Sequence, residues 1–137
     1  SECPIIFIAG GTGFGPVKAI IEHLINIGSQ REIYLYWGVR SEVDLYSNLP
    51  SEWSEKFPNI SFIPVLSEAN ETWDGNKGYV HDSVIKDFED LAGFEVYACG
   101  PPVMVNAAAK SCLEHQIVKE NFFSDSFEYA NVSNDDA

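Results

Sequence analysis

The stretch Ala9-Gly10-Gly11-Thr12-Gly13-Phe14-Gly15-Pro16 constrains the chain more than any other. It follows an unbroken apolar run, Ile5-Ile6-Phe7-Ile8, and precedes Val17, Ile20, Ile21, Leu24 and Ile27 at helical intervals of three and four. A buried strand therefore ends in a glycine turn that opens a helix, with Pro16 in its first turn and Gly28 as its stop. Backbone N–H groups at such a junction can receive a phosphate. A glycine turn of this kind also serves as a plain tight turn, so the loop alone leaves both readings open.

Two common phosphate loops are excluded. Pro16 stands where the fingerprint G-x-G-x-x-G, counted from Gly11 and Gly13, would have its third glycine. Lys18 is neither preceded by glycine nor followed by Ser or Thr, so there is no Walker A loop.

Ile33–Trp37 reads as a second strand ending at Gly38, and the segment from Ser41 to Phe57 as a helix interrupted by Pro50. Ile60–Leu66 is a third strand, and Pro64 inside it marks an edge strand. A polar loop from Ser67 to Lys77, anchored by Trp73, leads to a short helix over His81–Phe88. Glu95–Cys99 is a fourth strand, Pro101-Pro102 start an alanine-rich helix running to about His115, and Asn121–Ser124 is a last strand. This alternation predicts an α/β fold, a parallel sheet covered by helices on both faces. Ligands bind such sheets at the carboxyl ends of the strands.

Composition narrows the function. With 137 residues, 45% of them hydrophobic, the chain makes one domain with a proper core, expected over residues 1–128 with a disordered acidic tail over 129–137. A net charge of −13 argues against nucleic acid or an anionic membrane surface as partner. Cys3, Cys99 and Cys112 are odd in number and show no C-x-x-C spacing, which disfavours disulfides and fits a reducing cytoplasm. No apolar run approaches a membrane span, and no signal peptide is evident. His23, His81 and His115 lack ligand spacing, so no metal site is expected. Met104 is the only methionine, and the chain is expected to be cut from a longer protein.

A second constellation is Tyr97-Ala98-Cys99-Gly100-Pro101-Pro102-Val103-Met104. A cysteine ending a buried strand is ordinarily inert core, and prolines after glycine start helices. A functional reading requires the thiol edge to be exposed beside a planar ligand, with Gly100 letting that ligand approach.

Gly11-Thr12-Gly13-Phe14-Gly15-Pro16 and Cys99–Met104 match G-T-G-x-x-P and C-G-P-P-x-M in order and separation. The chain thereby resembles the nicotinamide-binding domain of the ferredoxin–NADP reductase superfamily over residues 4 to 128. Its nearest subgroup in resemblance comprises bacterial flavin reductases, CDP-6-deoxyglucoseen reductases and oxygenase reductase components. Tyr36-Trp37-Gly38-Val39-Arg40, Asp44-Leu45-Tyr46, Pro64-Val65-Leu66-Ser67, Trp73 and Gly78-Tyr79-Val80-His81 share that likeness.

The resemblance implies a doubly wound, Rossmann-like parallel sheet of five strands in the order 3-2-1-4-5. Gly10, Gly11, Thr12 and Gly13 would meet the pyrophosphate and nicotinamide side of NAD(P)H, helped by the positive end of the helix at Pro16. Cys99 would lie against the nicotinamide, with Gly100, Pro101, Pro102 and Met104 as neighbouring cofactor contacts. Phe127 would cover the flavin ring, with Asp125 at an acidic position beside it. Hydride transfer requires positioning more than an acid or base, so the lack of a catalytic triad is no objection.

NADPH-using relatives place Ser-Arg after the third strand. Here the pair is Ser67-Glu68, which favours NADH over NADPH, although Arg40 offers a competing phosphate partner. The resemblance further implies FAD or FMN on a β-barrel domain preceding Ser1. A [2Fe–2S] module, where present, and the final electron acceptor would lie outside this chain. The competing function is a nucleotide-binding or sensing module without chemistry. An ordinary Rossmann dehydrogenase fails on Pro16 and on Gly38 and Arg40, which stand where an acidic residue belongs.

Overall fold

The computed structural model describes residues 3–126. In chain order the elements are β1 (Ile5–Gly10), α1 (Phe14–Asn26), β2 (Ile33–Val39), α2 (Leu49–Lys56), β3 (Ile60–Leu66), β4 (Asn76–Lys77), α3 (Val80–Asp87), β5 (Glu95–Gly100), α4 (Pro102–Glu114) and β6 (Phe122–Ser126). The strands form one sheet in the order β4-β3-β2-β1-β5-β6, and every pairing is parallel.

The predicted doubly wound order is therefore present, with one strand more than the expected five. The addition is β4, two residues within the predicted polar loop, and so short a strand leaves no alternating pattern to read. It pairs only with Val65 and Leu66, so its ladder begins just past Pro64. The proline thus keeps an unpaired flank although β3 is no longer the edge.

Pro50 sits differently from expectation, and Pro16 sits as expected. Pro50 lies in the first turn of α2 and starts that helix instead of interrupting one, because a first-turn N–H has no helical partner to lose. Upstream, Glu42–Asp44 forms a separate 3₁₀ turn closed by reciprocal bonds between Ser41 and Asp44. α1 begins at Phe14, so Pro16 is its third residue, still within the first turn.

Alternating side chains divide the core into two layers. Ile5, Phe7, Ala9, Leu35 and Trp37 face Phe14, Val17 and Ile21 of α1 and Trp53 of α2, with Cys99 in the same cluster. Ile6, Ile8, Tyr36, Val96 and Ala98 face Val84 of α3 and Val105, Ala108 and Cys112 of α4. Each fully buried large side chain contributes about 1.5–3 kcal/mol. At the amino end of the sheet, Arg31 joins three segments. Its Nε donates to the Cys3 carbonyl at 2.8 Å, and its Nη2 meets Glu95 at 2.5 Å.

Three buried acids stay protonated well above their ordinary range. Burial, then the hydrogen bond and charge of Asp87, raises the phenol of Tyr36, whose hydroxyl donates to Asp87 Oδ2 at 2.6 Å. Burial pushes the Cys112 thiol up to about 12, and burial with the charge of Asp125 pushes Cys99 up to about 11, both from 9.0. The folded chain holds the two thiol protons while the unfolded chain releases them, so their stabilisation is complete below pH 9 and is lost as pH rises through 11 and 12. Urea unfolding across that window should show stability falling by about 1.4 kcal/mol per pH unit for each thiol. Cys112→Ala should reduce the slope, and an identical slope in that variant would contradict the assignment.

Candidate functional site

The chain leaves β1 toward β2 on one side and later returns to β5 on the other. Connections diverge at that switch point, so the carboxyl ends of the strands stay uncovered. A cleft of about 890 Å³ opens there. β1 supplies Gly10, with Gly11 and Thr12 following it; β2 supplies Gly38 and Val39, with Arg40 beyond; Ser67 lies just past β3. Tyr79, Val80 and His81 enter from the start of α3, and Pro101, Val103, Met104 and Ala107 close the far side. The size falls within the range of small-molecule sites.

The glycine loop is a single 3₁₀ turn, Gly11–Gly13, running directly into α1. Gly13 is buried against β5: a Cβ there would lie 2.2 Å from the Cys99 carbonyl oxygen and 2.7 Å from its carbon. Only glycine permits that approach, so the two sequence motifs meet backbone to backbone. The Met104 methyl fills the space that side chains on Gly10 and Gly100 would take. At the other end, Ser67 N–H donates to Val39 O at 2.9 Å and Glu68 N–H to Arg40 O at 2.8 Å. Arg40, Ser67 and Glu68 are thereby held together, all exposed.

Of the residues singled out in the sequence, the cleft wall contains Gly10, Gly11, Thr12, Arg40, Ser67, Pro101 and Met104. Gly13 and Gly100 pack close behind it. Pro16, Glu68 and Pro102 are not among its lining residues, although each is within one to three residues of the glycine turn, Ser67 or Pro101 that neighbour or line it. Cys99 is placed otherwise. Its side chain is 0% exposed and packs in the α1-side core, so it lacks the open edge that contact with a planar ligand requires. Asp125 is exposed on β6, in register with Cys99, and its charge helps raise the thiol pKa. Phe127 and the expected tail lie outside the described residues.

Tyr79 and His81 also line the cleft, beyond the residues singled out in the sequence as site candidates. Their rings stack with centroids 5.8 Å apart and planes 12° from parallel, and Tyr79 is 66% exposed. An aromatic residue directly after Gly78 and ahead of an amphipathic helix was the available signal. Tyr46 and Asp44 also border the cleft. Among the described residues no group of His, Cys, Asp and Glu could hold a metal, and no helix is long and apolar enough to cross a membrane.

A switch-point cleft floored by a strand–glycine–helix turn defines a doubly wound α/β domain of the nucleotide-binding type. Residues 7–110 match the model of the oxidoreductase NAD-binding domain, and the chain belongs to that family, within the ferredoxin reductase superfamily. It is 49% identical to protein RfbI of Salmonella typhimurium over 131 residues, covering 96% of this chain and 40% of that protein. It is 46% identical to the CDP-6-deoxy-L-threo-D-glycero-4-hexulose-3-dehydrase reductase of Yersinia pestis over 124 residues, covering 90% of this chain and 38% of the relative. The crystal structure of the Amycolatopsis cytochrome P450 reductase GcoB superposes with a TM-score of 0.86 at 30% identity, over 93% of this chain and 38% of that one. The chain thus spans about 40% of the length of these curated relatives.

Gly13→Ala should destabilise the domain by about 1–3 kcal/mol, because the methyl group must displace the β5 backbone. Gly15→Ala, in open space on α1, should instead gain about 0.5 kcal/mol or more from helix propensity. Urea midpoints of the two variants check this, and equal effects would contradict the close approach.

Proposed function

We propose that the cleft holds NADH along the carboxyl edge of the sheet and presents it to a flavin on a separate domain of the same protein. The observation that carries this reading is a single cleft running from Arg40 and Ser67, across Gly10-Gly11-Thr12, to Pro101 and Met104. The glycine turn fits a pyrophosphate: no side chain crowds Gly11, and the amino end of α1 adds its positive pole. The exposed Tyr79 ring offers the adenine a stacking face, beside the Ser67 hydroxyl for the ribose.

Bound there, NADH supplies a hydride. This chain's contribution is to orient the nucleotide with fixed amides and apolar walls, and neither function needs a titrating side chain. The flavin, FAD or FMN, belongs to a further domain, in keeping with relatives more than twice as long as this chain. Any [2Fe–2S] cluster and the electron acceptor belong outside it as well. Nucleotide binding without chemistry is the second reading, and it draws on the burial of the Cys99 thiol. Flavin reduction by NADH in the flavin-bearing protein decides between the two.

Cofactor preference follows from Glu68. Its main chain is tied to Arg40 directly after Ser67 of the cleft wall, and a carboxylate so close to Ser67 repels a 2′-phosphate dianion more than a ribose hydroxyl. Arg40 attracts either nucleotide through its phosphates and so opposes this selection only in part. Calorimetry on this chain should show NADH binding about 5-fold tighter than NADPH, the scale of one exposed charge pair. Glu68→Arg should reverse the order. Equal affinities in the unaltered chain would contradict the assignment.

A further inference from the structure

We propose that Trp37 is the positioning residue of the glycine loop and sets the direction in which the Gly11–Thr12 peptide faces the cleft. The inference rests on the dinucleotide reading of that cleft and assigns its floor a specific buried support. Trp37 lies on β2 and is 0% exposed. Its indole stacks on Phe14 with centroids 4.4 Å apart and planes 18° from parallel. The Tyr46 ring meets it edge-on at 5.0 Å and 85°. These contacts fix the ring, and the fixed ring aims its one donor: Nε1–H donates to the Gly11 carbonyl at 2.8 Å.

A trans peptide is planar, so its carbonyl and the following N–H point in opposite directions. Holding the Gly11 carbonyl inward on Trp37 turns the Thr12 N–H outward, toward the side on which Gly11 and Thr12 line the cleft. Gly11 sits at φ +56°, with nothing within 4 Å of where a Cβ would be. A glycine with that freedom can rotate its peptide at little steric cost. The indole bond removes that freedom, so the Gly11–Thr12 peptide keeps one orientation at the cleft floor before a ligand arrives. Phenylalanine would fill much of the same volume without providing the donor.

Trp37→Phe and Trp53→Phe make the same chemical change in one aromatic cluster, since Trp53 lies 6.0 Å from Phe14. Only the first deletes the bond to the loop. Hydrogen exchange at the buried Gly13 and Phe14 amides of the turn, corrected for global stability, should quicken about 10-fold in Trp37→Phe and stay within about 2-fold in Trp53→Phe. NADH and ADP-ribose should each bind about 5-fold to 10-fold more weakly to Trp37→Phe, with the NADH-to-NADPH ratio unchanged. Equal effects in the two variants would reduce Trp37 to core packing and overturn the proposal, as would loop exchange unchanged in Trp37→Phe. If the unaltered chain bound neither nucleotide, the functional reading would fail, and the exchange comparison would still decide the role of Trp37.

Discussion

The approach of Gly13 to the Cys99 carbonyl is the contact on which the site depends. It brings the turn after β1 and the end of β5 into backbone contact. No side chain could stand between them, so the α1 terminus sits directly beside the Cys99–Met104 segment. The cleft floor is therefore main chain, which suits a ligand whose central group is an anion recognised by N–H groups. Packing behind the floor completes it, with Phe14 and Trp37 beneath the turn and the Met104 methyl beside Gly10 and Gly100.

Electrostatically the domain looks unsuited to its ligand. A chain with net charge −13 should repel a dinucleotide at long range, increasingly so at low salt. The cleft overcomes this locally. Arg40 stands at its rim, and α1 begins at its floor. Affinity should therefore come from short-range, oriented donors more than from steering.

Much of this was legible in the sequence because strong local signals agreed with the global fold. The strand–glycine–helix junction, the proline-started α4 and the alternation of elements each followed from residue type and spacing. The signals that misled were those with two physical meanings. Pro50 breaks a helix or starts one, and only the position of α2 decides which. Pro64 marks an edge, and β4 covers that edge one residue further on with a strand too short to carry a pattern. Cys99 ends a strand, but its exposure depends on what packs over it, and here that packing is complete. Tyr79 and His81 reach the cleft because α3 starts at its rim, and the aromatic after Gly78 is a local signal that gains meaning only from that placement.

The central claim is that the turn built on the Gly13–Cys99 contact is where the dinucleotide lies. Amide chemical shifts of this chain during titration with NADH test it directly. Saturable shifts are expected at Gly11, Thr12 and Gly13 together with Arg40, Ser67 and Tyr79, following a single binding curve. Shifts that leave Gly11–Gly13 unmoved while NADH binds elsewhere would contradict it.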